Sequence, residues 1–123
     1  MCPVNSYGAE LLVTPEGVGV DDPQHYMNVP KTLIAKNPDL YFDIDQYDNL
    51  KNPQGHYKTL GPEIWEQTKG SVTHFCAGGS TGGTISGVGK YLKEQNPAVK
   101  AVLLDPVGSI FKEAYESPTR KHG

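Results

Sequence analysis

The sequence predicts an α/β protein, a mostly parallel sheet of about four strands with flanking helices. Three observations carry that prediction. Short apolar runs alternate along the chain with segments of helical periodicity. The runs "AVLL" and "HFCA" are continuously apolar, as strands covered on both faces are. The stretch "CAGGSTGGTISGVGKYLK" (76–93) passes from an apolar run through a loop of glycines and hydroxyls straight into an amphipathic segment. That is the order strand, loop, helix.

Taken from the start, "AELLVT" (9–14) reads as a strand ended by Pro15. A helix is expected from Asp22, with Asp21 or Asp22 as cap and Pro23 in its first turn. Pro30 falls inside that stretch and is expected to kink or divide it. "DLYFDI" (39–44) reads as a second strand. Asn52-Pro53 and Gly61-Pro62 then mark helix starts or breaks, and Gly70 a stop. "VTHFCA" (72–77) is the strand that enters the glycine loop. Beyond the loop, Ile85, Val88 and Leu92 form one apolar stripe at helical spacing, while Gly87 and Gly89 permit close contact with a sheet. "KAVLLDP" (100–106) is the last strand.

The chain has 123 residues, a common size for one domain. Its net charge of −3, with basic residues scattered, argues against nucleic acid or an anionic membrane as partner. No window approaches a membrane span, and "MCPVNSYG" lacks the basic start and apolar stretch of a signal peptide, so a cytoplasmic protein is expected. Cys2 and Cys76 are not expected to pair, and the four histidines share no metal-ligand spacing. Cys76 reads as a small buried hydrophobe, His74 as a core or edge residue, and Tyr57 and Trp65 as packing residues. Asp43, Asp45 and Asp48 lack the spacing of a calcium loop and read as a solvated acidic loop.

The glycine loop has a chemical meaning. At a helix start the first amide N–H groups have no internal acceptor, and the peptide dipoles add partial positive charge. Glycines let those amides converge on an anion, and Ser80, Thr81 and Thr84 add hydroxyl donors. The nucleotide motifs G-x-x-x-x-G-K-[ST] and G-x-G-x-x-G are both absent. Amides and hydroxyls without a lysine suit a monophosphate ester. On the loop alone, a phosphate seat and a tight packing connection stand about even.

"STGGTISGVGKYLKEQNP", "DQYDNLKNPQGHYKTLGPEIWEQTKG" and "DPVGS" together resemble the cysteine synthase and cystathionine β-synthase family, pyridoxal-phosphate (PLP) enzymes of fold type II. The resemblance runs from about Tyr7 to Ile110. It implies that Ser80, Thr81, Gly82, Gly83 and Thr84 hold the cofactor phosphate through amides and hydroxyls. It also implies that Gln46 helps hold the α-carboxylate of a small amino-acid substrate; on its own residues Gln46 reads as a polar loop residue closing its turn. Ser80 stands where the family has a loop glycine, a mild departure if its φ is negative and a damaging one if not.

The same resemblance divides the chain into an end of the small domain (1–45), part of the cofactor-binding domain (46–110) and a divergent tail (111–123). The family's cofactor-bearing lysine lies in a Ser, Lys, Asp-Arg context, and none of the ten lysines sits in one. A central portion of such an enzyme is therefore expected, without β-replacement activity alone and with exposed edges that favour a homodimer or a complementing chain. The alternative is a non-catalytic remnant that keeps the fold, and perhaps the anion site, for interaction.

Overall fold

The computed structural model describes residues 7–117 and divides between Ile44 and Asp45 into two compact units. In the first unit the only regular element among the described residues is helix α1, Val29–Lys36. Pro30 occupies its first turn, where a missing N–H leaves no helical acceptor unfilled. It therefore begins the helix rather than kinking it. The expected helix from Asp22 is instead a run of turns: His25 N donates to the Asp22 carbonyl at 2.9 Å and Asn28 N to the His25 carbonyl at 2.8 Å. The Asn28 side chain stitches this run together, donating to the carbonyls of Val20 (2.7 Å) and Asp22 (2.9 Å).

Neither 9–14 nor 39–44 is a strand. Each needs a neighbour to accept and donate along its backbone, and neither has one among the described residues. Leu12, Tyr41 and Phe42 line an open cleft of about 230 Å³ with Val29, Leu33 and Ile34 of α1.

The second unit is ordered as α2 (Lys51–Lys58), α3 (Leu60–Gln67), β1 (His74–Gly78), α4 (Gly83–Gln95), β2 (Lys100–Leu104) and α5 (Phe111–Glu116). The two strands run parallel, from His74 opposite Lys100 to Gly78 opposite Leu104. The sheet thus has two strands among the described residues, not four. Asn52-Pro53 and Gly61-Pro62 fall in the first turns of α2 and α3, so both are starts. Gly70, at φ 71°, returns its N–H to the Trp65 carbonyl at 2.9 Å and ends α3.

The core is the α4 stripe. Val88 and Leu92 are fully buried and Val99 nearly so, with Leu60, Ile64, Trp65, Val72, Phe75 and Tyr91 packed around them. Ile85, the first residue of the stripe, is half-buried. The two α4 glycines face different neighbours. A Cβ on Gly89 would meet Ala101 of β2 at 3.2 Å, the sheet contact expected of it. A Cβ on Gly87 would collide with the Pro53 carbonyl and approach His56 Cβ to 2.9 Å, so Gly87 serves the crossing of α4 over α2.

Burial alternates along β1: Phe75 and Ala77 are half-buried, while His74, Cys76 and Gly78 are exposed. Every residue of β2 is exposed. Within the described residues β1 is therefore covered on one face only and β2 less still, against the expectation of two covered faces. Cys76 is an exposed free thiol and not a buried hydrophobe. His74 is exposed too, its Nδ1 3.0 Å from the Thr73 hydroxyl.

Part of the expected tail is helical: α5 begins where Asp105 Oδ2 accepts the Lys112 N–H at 3.1 Å. Cys2, His122 and the residues after Ser117 lie outside the described residues. No helix among the described residues is long and apolar enough to cross a membrane.

Candidate functional site

The glycine loop joins β1 to α4. Gly79 N extends the ladder by donating to the Leu104 carbonyl at 3.4 Å, and the chain then turns through Ser80, Thr81 and Gly82. Ser80 is not among the residues with positive φ, so the serine fits the backbone it occupies. Gly82 is the N-cap of α4 and is left-handed, with φ 78° and ψ −3°. A side chain there would be strained, and glycine removes that strain. The N-cap itself, a glycine, offers the helix no side-chain cap. Ser86 N is the first to close a helical bond, to the Gly82 carbonyl at 3.0 Å. The amides of Thr84 and Ile85 find no acceptor among the described residues.

The loop is held from the side by α2. Asn52 Nδ2 donates one hydrogen to Thr81 Oγ1 at 2.9 Å and the other to the Gln46 carbonyl at 3.0 Å. The same carboxamide lies against the α-carbon of Gly83, which is buried; a Cβ built there would sit 2.7 Å from Asn52 Nδ2. One turn along α2, His56 Nε2 lies 3.3 Å from the Thr84 hydroxyl. Gly83 N closes a weaker bond to Thr81 Oγ1 at 3.4 Å.

The five loop residues named from the sequence are thus contiguous at the head of a 13-residue helix. Gln46 is exposed, and its main chain is tied through Asn52 to Thr81. The acidic residues of the neighbouring turn organise local backbone: Asp45, at φ 48°, accepts the Asp48 N–H at 3.4 Å. Asn52 and His56 were not legible as site residues. Asn52 reads in the sequence only as the residue before a proline, and His56 as a histidine without ligand spacing. The available signal was their spacing of four on one helix, which puts both on one face.

Farther along the same interface, Tyr57 donates to Glu94 Oε2 at 2.6 Å, and Lys90 pairs with Glu94 and lies 5.1 Å from the Tyr57 ring centre. The hydrogen bond to Glu94 raises both the Tyr57 phenol and the Lys90 ammonium above their ordinary values. The Lys90 hydrogen bond, and then that of Tyr57, hold the Glu94 carboxyl below its own. This exposed clasp joins α2 to α4 beyond the loop.

A loop of uncapped amides and hydroxyls at a helix head, with no lysine among its donors, fits a phosphate by donor chemistry. Comparison with known proteins gives the family of the chain. The family described as "Pyridoxal-phosphate dependent enzyme" matches residues 3–121. A cysteine synthase of Dictyostelium discoideum is 43% identical over 102 residues, covering 83% of this chain and 26% of the relative. A cystathionine beta-synthase of Apis mellifera is 38% identical over 110 residues, 89% of this chain and 22% of the relative. Among solved structures, O-acetyl serine sulfhydrylase isoform 3 from Entamoeba histolytica superposes with a TM-score of 0.74 at 30% identity, covering 98% of this chain and 34% of that one. The chain spans about a fifth to a third of the length of the curated relatives it matches. It belongs to the pyridoxal-phosphate dependent enzymes, of fold type II, and is similar in sequence to cysteine synthases and cystathionine beta-synthases.

Proposed function

We propose that this chain is the portion of a β-replacement enzyme of sulfur amino-acid metabolism that seats the cofactor phosphate, and that it has no β-replacement activity alone. The observation that carries the reading is the head of α4: a left-handed Gly82 N-cap, amides of Thr84 and Ile85 without acceptors among the described residues, and hydroxyls at Ser80, Thr81 and Thr84. Bound there, pyridoxal phosphate supplies an electron sink for breaking a bond at the β-carbon of an amino acid. The residues of this chain would contribute binding and orientation. The loop amides and the Thr81 and Thr84 hydroxyls would hold the phosphate dianion against the helix dipole. Gln46 would offer its side-chain amide to the substrate carboxylate.

The proposed inactivity rests on the lysines. All nine among the described residues are exposed, and three of them are engaged at the surface: Lys51 with Gln54, Lys90 with Glu94, Lys93 with the Val99 carbonyl. A lysine that carries a cofactor and moves protons needs a site shielded enough to lower its pKa. The proposal extends to a partner. The exposed apolar residues of β2, Val102, Leu103 and Leu104, are the surface that a second copy or a complementing chain would cover.

The test is direct. The 123-residue chain is mixed with pyridoxal phosphate, a β-substituted amino acid and sulfide, alone and with a second fragment that supplies the Ser-Lys-Asp-Arg segment. Product is expected only in the mixture. Product from the chain alone would overturn the inactivity, and a chain that takes up no phosphate compound would overturn the phosphate seat.

A further inference from the structure

We infer that Asn52 is a positioning residue for the phosphate seat, acting by aiming the Thr81 hydroxyl proton at the anion; the inference rests on the phosphate reading above. The argument is an accounting of donors and acceptors. A threonine hydroxyl has one hydrogen to give and two lone pairs with which to accept. At Thr81 both acceptor places are taken: Asn52 Nδ2 donates to Oγ1 at 2.9 Å, and Gly83 N at 3.4 Å. The hydroxyl hydrogen is left over. With its lone pairs engaged by α2 and the helix backbone, that hydrogen is left to serve an anion held at the head of α4.

Asn52 suits this task because both of its amide hydrogens are used. The second goes to the Gln46 carbonyl at 3.0 Å, which fixes the carboxamide plane and stops Nδ2 from turning away from Thr81. The α-carbon of Gly83 packs against the same carboxamide, so the group is also held sterically. An aspartate of the same shape would invert the arrangement. It would accept the Thr81 hydrogen, withdraw it from the anion and add a repelling charge. One side chain on α2 thereby couples the backbone that presents Gln46 to the hydroxyl that meets the phosphate.

The experiment is a double-mutant cycle on the 123-residue chain, titrated with inorganic phosphate against chloride at equal ionic strength and followed by amide nuclear magnetic resonance. Thr81→Val should weaken phosphate binding about tenfold, the effect of one hydrogen bond to a charged group. Asn52→Ala should do the same, and the double variant should bind no more weakly than Thr81→Val. Multiplying losses would mean that Asn52 does not act through Thr81, and would overturn the inference. Unchanged affinity in Asn52→Ala would overturn it as well, while leaving the phosphate seat standing.

A wild-type chain whose Thr81–Thr84 amides ignore phosphate would overturn the seat and this inference together. Should Asn52→Ala fail to fold, the unmutated chain still decides. Both Asn52 side-chain amide signals should move during the phosphate titration, and signals that stay fixed while Thr84 N–H moves would refute the coupling.

Discussion

Replacing Gly87 by alanine pits two physical terms against each other, and the structure says which one wins. On helix propensity alone the change is favourable, because glycine inside a helix is about 0.5–1 kcal/mol worse than alanine. At the α2–α4 crossing, however, the new Cβ would lie 2.9 Å from His56 Cβ and 3.0 Å from Tyr57 N, and closer still to the Pro53 carbonyl oxygen. Carbon atoms prefer a separation of about 3.5–4.0 Å, so α2 must retreat by at least roughly 0.6 Å. Two of the three obstructing atoms are main chain and cannot rotate aside.

Overpacking of this kind costs about 1–3 kcal/mol, and backbone obstruction puts this case near the top of that range. Subtracting the propensity gain leaves a net destabilisation of about 2 kcal/mol. For a unit of this size that corresponds to a fall in Tm on the order of 8–16 °C. The control is Gly55→Ala, also within a helix, where the added Cβ meets nothing within 4 Å. It should stabilise by about 0.5–1 kcal/mol. Both variants are measured by thermal and urea denaturation monitored by circular dichroism. If Gly87→Ala is as stable as Gly55→Ala, the close crossing does not exist and the reasoning fails.

Gly82→Ala should cost about 1–2 kcal/mol because the N-cap is left-handed, and Gly82→Asn should cost less, since asparagine tolerates that region; equal denaturation midpoints for the two would refute the strain argument. The clasp of Tyr57, Lys90 and Glu94 gives a pH dependence with a defined sign. Glu94 is depressed in the fold, so its contribution is present above the ordinary carboxyl value of about 4.3 and fades as pH falls through the lowered one. Tyr57 and Lys90 are raised, so theirs is present below about pH 10 and fades as pH rises through the raised values. The stability gap between wild type and Tyr57→Phe should be level near neutrality and shrink at both extremes; a gap indifferent to pH would exclude the clasp. Cys76 in a Cys2→Ser background should react with an aromatic disulfide reagent as fast in the folded chain as in urea, and strong protection would show that the exposed face of β1 is covered.

How much of this was legible from the residues differs from one element to the next, for physical reasons. The head of α4 was readable because helix initiation is local: glycines, hydroxyls and the 85/88/92 stripe lie within a dozen residues and need no distant partner. Strands are different. "AELLVT" and "DLYFDI" have the composition of strands, but a strand exists only when another backbone lies beside it, and composition does not report the neighbour. Cys76 is exposed, and not buried as its apolar run suggests, for a related reason. A continuous apolar run predicts two covered faces only if elements exist to cover both, and α4 supplies one. Helix α5 carries its signal in its composition, since Lys, Glu and Ala in "FKEAYE" are good helix formers. Asn52 could not have been found by composition at all. Its importance lies in a hydrogen bond to a residue 29 positions away, and only the crossing of α2 and α4 brings the two together.

That crossing is where fold and site become one problem. The distance between α2 and α4 is set by the absence of a side chain at Gly87, and α2 is the element that delivers Asn52 to Thr81 and His56 to Thr84. A retreat of α2 by roughly 0.6 Å would carry the 2.9 Å bond from Asn52 to Thr81 to about 3.5 Å, the edge of what counts as a hydrogen bond. Gly87→Ala should therefore weaken phosphate binding even under conditions where the chain remains folded, and it touches no atom of the loop. Thr81→Val should also weaken phosphate binding, but any fall in its melting temperature would come from the Asn52 and Gly83 donors left without an acceptor, because Thr81 contributes no buried apolar contact to the core. If Gly87→Ala proves destabilised but binds phosphate as wild type does, the loop holds its own geometry, and the helix crossing serves stability alone.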